Sequence, residues 1–200
     1  MNIILLLHDI INRIRLKNDS PTIICSDCTG GLIYHWLRLK FRSPFINLYM
    51  ENEDFVYMLE NWESLKKLEI SEDKNANKSF PVGMMGDSKV RIYFMHYSTF
   101  QEAKNKWNER MARMNEDNLC VMFTNWDGDM ELAKRFDKLP FKHKVLFTDR
   151  DIPEIKCSFA IKRKKGKESL LATYGLIGKC NIDQFDYVAF FNNMLNPLCS

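Results

Sequence analysis

Short β-rich runs alternate with longer segments of helical periodicity through most of the chain, and that alternation constrains the fold class more than any other feature. Thr22-Ile23-Ile24-Cys25 behind Pro21 and Phe45-Ile46-Asn47-Leu48-Tyr49 behind Pro44 read as strands, as do 89–95, 118–124 and 144–148. Leu32, Ile33, Trp36, Leu37 and Leu39 recur at helical spacing. Phe55, Met58, Leu59, Trp62, Leu65 and Leu68 form one stripe, predicting a single helix over 51–68. Residues 98–114 open on the cap candidates Ser98 and Thr99, and 130–136 give a further helix. A short amphipathic helix with Ile10, Ile11, Ile14 and Leu16 precedes the first strand, and 183–194 closes the chain as a helix. Strands separated by helices of this length need crossovers. The expectation is a single α/β domain over 1–200, with three layers and a mostly parallel sheet covered on both faces. Residues 20–150 form its core. The segments 157–162 and 170–174 are expected to flank a basic turn as a C-terminal hairpin, followed by the last helix.

Composition excludes several classes. Apolar residues at 46% against 28% charged rule out a disordered chain, and 200 residues suffice for one full core. The net charge of +3 demands no nucleic-acid partner, and none is expected. The aliphatic opening Ile3 to Leu7 is cut off by His8 and Asp9, short of a signal peptide or of the roughly 20 apolar residues a span requires. Without a secretory signal, the cysteines at 25, 28, 120, 157, 180 and 199 read as reduced thiols in a cytoplasmic protein.

In an open parallel sheet, functional groups gather beyond the carboxyl ends of the strands. Those exits carry Ser26, Asp27 and Cys28, then Glu51 and Asn52, His96 and Tyr97, Asn125 and Asp127, and Asp149. Cys28 stands before a helix start with Thr29, Gly30 and Gly31 behind it. A helix N-terminus lowers a thiol pKa and offers N–H groups to an oxyanion, while glycines let a substrate approach. The plainer account is a tight turn with a small residue at its cap. His35 lies about 10 Å of helical rise along from Cys28, too far to serve it as a base. His96, at another strand exit, is the better candidate, with Asp127 or Asp149 to orient its ring; the plainer account is a hydrogen-bonded histidine at a strand end.

Other patterns carry less. Cys25-Ser26-Asp27-Cys28 is a C-x-x-C, but alternation places Cys25 inside a strand, and no second ligand pair accompanies it for zinc. Asp127-Gly128-Asp129 fits the D-x-D of a metal-dependent sugar transferase, and equally an Asp/Gly turn. Lys162-Arg163-Lys164-Lys165-Gly166-Lys167 reads first as a solvated hairpin tip and second as a grip for phosphates or lipid headgroups. No glycine-rich phosphate loop is present.

The run Ile23-Ile24-Cys25-Ser26-Asp27-Cys28-Thr29-Gly30-Gly31-Leu32-Ile33-Tyr34-His35 resembles the opening motif of a bacterial family of exopolysaccharide (capsular polysaccharide) biosynthesis proteins. The likeness continues through Ser43-Pro44-Phe45, Phe80-Pro81-Val82-Gly83, Phe94-Met95-His96-Tyr97, Asp127-Gly128, Phe136-Asp137-Lys138-Leu139-Pro140 and Lys144-Val145-Leu146-Phe147-Thr148. Where that family has Asn-Asn before the cysteine and an aromatic after it, this chain has Ser26-Asp27 and Thr29. The resemblance, and a more distant one to capsule-pathway acetyltransferases, implies a Cys/His acyltransferase acting on a sugar. Its donor would be an acyl-coenzyme A, with Cys28 as nucleophile, His96 as base and Asp127 or Asp149 as orienting carboxylate. Ser26, Asp27, Thr29, Gly30, Gly31 and Tyr97 would line the oxyanion and substrate site. No metal is expected in that reading. Its alternatives are a metal-dependent glycosyltransferase using Asp127 and Asp129, or a scaffold docked on a membrane-bound polysaccharide-assembly machine. The expected partners are thus a polysaccharide precursor and peripheral membrane or assembly proteins.

Overall fold

The computed structural model describes residues 3–163, 169–171, 173–174 and 179–195. Its centre is a parallel sheet of β1 (Thr22–Cys25), β5 (Leu119–Thr124), β6 (His143–Thr148) and β7 (Ser158–Ala160), in that spatial order. The register sets Ile24 beside Val121 and Val121 beside Lys144. Side chains alternate across the strands, so the sheet divides the apolar residues into two groups. Ile24, Val121, Phe123 and Leu146 face one way, toward α3 (Asn52–Glu60), α4 (Trp62–Leu65), α5 (Phe100–Met111) and α6 (Met130–Lys138). Ile23, Cys25, Cys120, Met122, Val145 and Phe147 face the other, toward α2 (Thr29–Trp36) and α7 (Tyr187–Asn193). The chain is an α/β fold with a parallel sheet buried on both faces, as the alternation predicts.

Four expectations need correction, each for a local reason. Within 45–49, Phe45, Ile46 and Leu48 are buried, but the segment is not a strand, and only Tyr49 pairs, in a bridge to Tyr93. Ser43 Oγ accepts the Phe45 N–H, Ile46 turns back on the Pro44 carbonyl, and Asn47 has a φ of 61°. Phe45 then faces one apolar group and Ile46 the other, so burial with pairing at Tyr49 alone produced the strand-like pattern. The predicted helix 51–68 is broken at Asn61, whose side-chain amide donates to the Tyr57 carbonyl at 2.9 Å and competes with the ladder. The predicted strand 89–95 shrinks to β4 (Arg91–Tyr93), which joins β2 (Ile70–Glu72) and β3 (Val82–Met85) in a separate antiparallel sheet. Finally, β7 pairs in parallel with β6 rather than folding back as a hairpin, while β8 (Thr173–Tyr174) pairs with β9 (Lys179–Cys180). Of the basic run, 164–167 lies outside the described residues.

Between β1 and β5 the chain makes α2 to α5 and the antiparallel sheet. Helix α5 locks this excursion down. Thr99 caps it through the Glu102 N–H, and Trp107 packs on Phe45 and Phe94. The buried Arg110 donates to the Tyr97 hydroxyl at 2.6 Å and lies over the Phe41 ring. Helix α1 (Ile3–Arg15) lies against the α7 side of the domain.

Candidate functional site

The exits of β1 and β5 lie side by side, and the groups leaving them are tied together. Ser26 is buried; its carbonyl accepts the Met50 N–H and its amide donates to Met122. Asp27 spans the two strands. One carboxylate oxygen accepts the Thr29 N–H at 2.8 Å and the Cys25 thiol at 3.4 Å, while the other accepts the Thr124 hydroxyl at 3.0 Å. Asp27 therefore satisfies an orphan N–H at the start of α2 and fixes the geometry of the rim.

A cleft of about 390 Å³ opens over this rim. Its lining includes Ser26, Asp27, Thr124 and Asp127 from the rim, together with Tyr49, Glu51, Asn52 and Trp126. Tyr49 stacks on Tyr93, their ring centroids 4.6 Å apart. The Arg163 guanidinium lies over the Trp126 ring at 4.8 Å and reaches Asp149, at the exit of β6, at 3.3 Å. A larger cavity of about 830 Å³ sits at the opposite end of the sheet, lined by Leu119 and His143, the first residues of β5 and β6. The carboxyl-end cleft is the candidate site, because there the strand exits converge polar side chains.

The sequence-expected residues divide sharply. Ser26, Asp27 and Asp127 line the cleft; Cys28, His96 and Tyr97 do not. Cys28 caps α2, with its sulfur against the Leu48 carbonyl at 3.6 Å and the Met95 sulfur at 3.9 Å. Burial, with the neighbouring Asp27 carboxylate, pushes its thiol up to about 11, against the expected acidification. His96 is exposed, and it follows β4 of the antiparallel sheet rather than a strand of the parallel rim. The Tyr97 hydroxyl is consumed between the Ile46 carbonyl, to which it donates at 3.1 Å, and the Arg110 guanidinium. Tyr97 is held in packing.

The glycines also serve packing. A Cβ on Gly30 would stand 3.0 Å from Cys25 Cβ and 3.1 Å from Ile23 Cγ2, so its bareness lets α2 lie close on β1. Gly31 is buried against Ile46. Thr29 is buried, its hydroxyl without a partner. Asp129 caps α6 by accepting the Glu131 and Leu132 N–H groups, and Gly128 takes a positive φ of 70°. The Asp127-Gly128-Asp129 pattern is thus a helix-start turn rather than a paired metal ligand set. Among the described residues no group of three or more His, Cys, Asp or Glu is placed to hold a metal ion. Cys25 and Cys28 are both free, and Cys25 is fully buried.

A family described as a domain of unknown function, DUF1919, matches residues 2–192. The chain belongs to the DUF1919 family. A protein of Haemophilus influenzae described as uncharacterized is 39% identical over 183 residues, covering 90% of this chain and 87% of its own. The DUF1919 match spans α1 through nearly all of α7, so the cleft and both apolar layers fall inside it.

Tyr49, Thr124 and Trp126 escaped the sequence reading. Thr124 and Trp126 flank Asn125 at a strand exit and could have been found by listing every polar or aromatic residue there. Tyr49 could not, because its place depends on a single bridge to Tyr93.

Proposed function

We propose that this DUF1919 protein binds the sugar of a surface-polysaccharide precursor in the cleft at the exits of β1 and β5, as a cytoplasmic step of its assembly. One observation carries the reading: the cleft combines three carboxylates, Asp27, Glu51 and Asp127, with the aromatic rings of Tyr49 and Trp126. Sugars present alternating hydroxyl edges and apolar C–H faces. Carboxylates accept hydrogen bonds from the first, with charge assistance, and aromatic rings pack against the second. Asp27 is already committed to Thr29 and Thr124, so it holds the rim; the exposed Asp127 is free to accept from a sugar hydroxyl. Arg163 lies over Trp126 and is paired with Asp149, so a phosphate attached to that sugar would share its guanidinium with Asp149. The resemblance to polysaccharide proteins supports the same substrate class. Acyl transfer to this sugar from an acyl-coenzyme A would proceed without Cys28 as a nucleophile, since Cys28 does not line the cleft.

A thermal-shift panel tests the reading. Free and phosphate-linked sugars should stabilise the protein, and Asp127→Asn should abolish the effect while Cys28→Ser leaves it. Stabilisation by acyl-coenzyme A alone, lost in Cys28→Ser, would restore the thiol mechanism and reject this one. Stabilisation by sugar nucleotides only with added divalent metal would favour the glycosyltransferase.

A further inference from the structure

Over residues 8–16, α1 meets the domain through Asn12 and Leu16. Asn12 is buried and donates to the Tyr187 hydroxyl at 3.1 Å, and Leu16, one turn on, is buried with it. Arg15 pairs with Asp186, and Asn192 of α7 binds the Arg15 carbonyl and the Lys17 N–H. Residues four apart share a helix face, so this anchoring turns Ile10, Ile11 and Ile14 outward. They are 36%, 55% and 79% exposed, three of the seven large apolar side chains exposed among the described residues. Ahead of them the helix sequence carries five consecutive aliphatic residues, Ile3 to Leu7. A surface helix ordinarily faces its aliphatic stripe to the core, and such a stripe left outside marks a contact surface.

Charge identifies what the stripe meets. The first 17 residues hold Arg13, Arg15 and Lys17 against Asp9 alone, which is two of the chain's net +3 charges. Arg15 is paired with Asp186, while Arg13 and Lys17 make no ion pair among the described residues. Two copies meeting through this face would set these like charges against each other. An anionic surface would satisfy them. We propose that α1 is an interfacial helix that seats the protein on an anionic lipid bilayer. Ile10, Ile11 and Ile14 enter the boundary between headgroups and acyl chains, and Arg13 and Lys17 lie at the phosphate level. Gln184 lines a crevice with His8 and Asn12 and holds the Lys162 backbone through both its N–H and its carbonyl, so the start of the basic run lies on this side too. The placement suits an enzyme or binder of lipid-carried precursors, but it stands apart from the cleft: sugar binding is measured without vesicles.

The test is co-sedimentation of the full chain with phosphatidylcholine vesicles, with and without phosphatidylglycerol. Binding is expected to the anionic vesicles only and to weaken with salt. Ile11→Ser/Ile14→Ser should lower partitioning at least about tenfold, and Arg13→Gln and Lys17→Gln about fivefold each. These side chains are on the surface, and unchanged thermal melts of the variants would confirm intact folding. Absence of binding to anionic vesicles would overturn the proposal, as would binding indifferent to Ile11→Ser/Ile14→Ser. So would a dimer in sedimentation equilibrium that this double variant dissolves, because the stripe would then be a face between copies.

Discussion

Gly30→Ala distinguishes a packing glycine from one kept bare for a ligand. The added Cβ would lie 3.0 Å from Cys25 Cβ and 3.1 Å from Ile23 Cγ2. Neither atom yields easily: one is bonded directly to the backbone of β1, which is paired with β5, and the other sits on a β-branched side chain stiff at χ1. Relief therefore requires α2 to move away from the sheet. Overpacking of this kind costs about 1–3 kcal/mol. Alanine's better helix propensity returns up to about 1 kcal/mol. With the full return, the net loss of up to about 2 kcal/mol lowers Tm by up to roughly 8 °C for a chain of this size. Gly31→Ala is the control, since its nearest neighbour, Ile46 Cγ2, stands at 3.4 Å, an ordinary contact. It should leave Tm unchanged or raise it. Melting followed by circular dichroism reads both variants. A Gly30→Ala protein as stable as Gly31→Ala would refute the packing account and return Gly30 to the list of residues kept small for a substrate.

Tyr97→Phe should cost about 1–3 kcal/mol in urea unfolding, because it strands the Ile46 carbonyl and the buried Arg110 guanidinium, yet leave cleft binding intact. Alkylation of Cys28 by iodoacetamide should be slow at neutral pH and climb toward a midpoint near 11; a plateau below pH ~9 would show an acidified thiol instead. Burial opposes ionisation of Asp137, but hydrogen bonds from the Cys157 side chain and the Cys157 and Lys156 backbone outweigh it and hold the carboxyl below its ordinary value. Its stabilisation is therefore fully present above the unfolded carboxyl pKa and lost as pH falls through the lower, folded one. Asp137→Asn should reduce stability at neutral pH and flatten the acid limb of the stability curve, and equal acid limbs for the two proteins would contradict this.

The parallel core was legible because strand alternation and helix stripes are local signals that agree with burial. Ile23/Ile24 and Cys120/Val121 each send one side chain to either layer, as continuous apolar runs do in a sheet covered on both faces. Pairing partners are not local, and there the reading failed. Residues 91–93 form a strand in either account, but only the tertiary fold decides that β3, and not β1, is their neighbour. That one difference removes His96 from the parallel rim. The basic residues at 162 and 163 have the local pattern of a turn tip, whereas Arg163 is held over Trp126 by a contact across 37 positions of sequence. Ser26, Asp27 and Asp127 were found because a strand exit is itself a local feature. What Asp27 does there, bridging to Thr124, is invisible until β1 and β5 are known to be adjacent.

The sugar-binding cleft is tested most directly by the indole N–H signals of the four tryptophans in NMR spectra recorded during a saccharide titration. Trp62 and Trp107 are buried in the core, and Trp126 alone lines the cleft. The account predicts that a recognised sugar shifts the Trp126 signal saturably while those of Trp62 and Trp107 stay put, and that Asp127→Asn removes the response. A Trp126 signal unmoved by every sugar that stabilises the protein, or moved equally in Asp127→Asn, would contradict it.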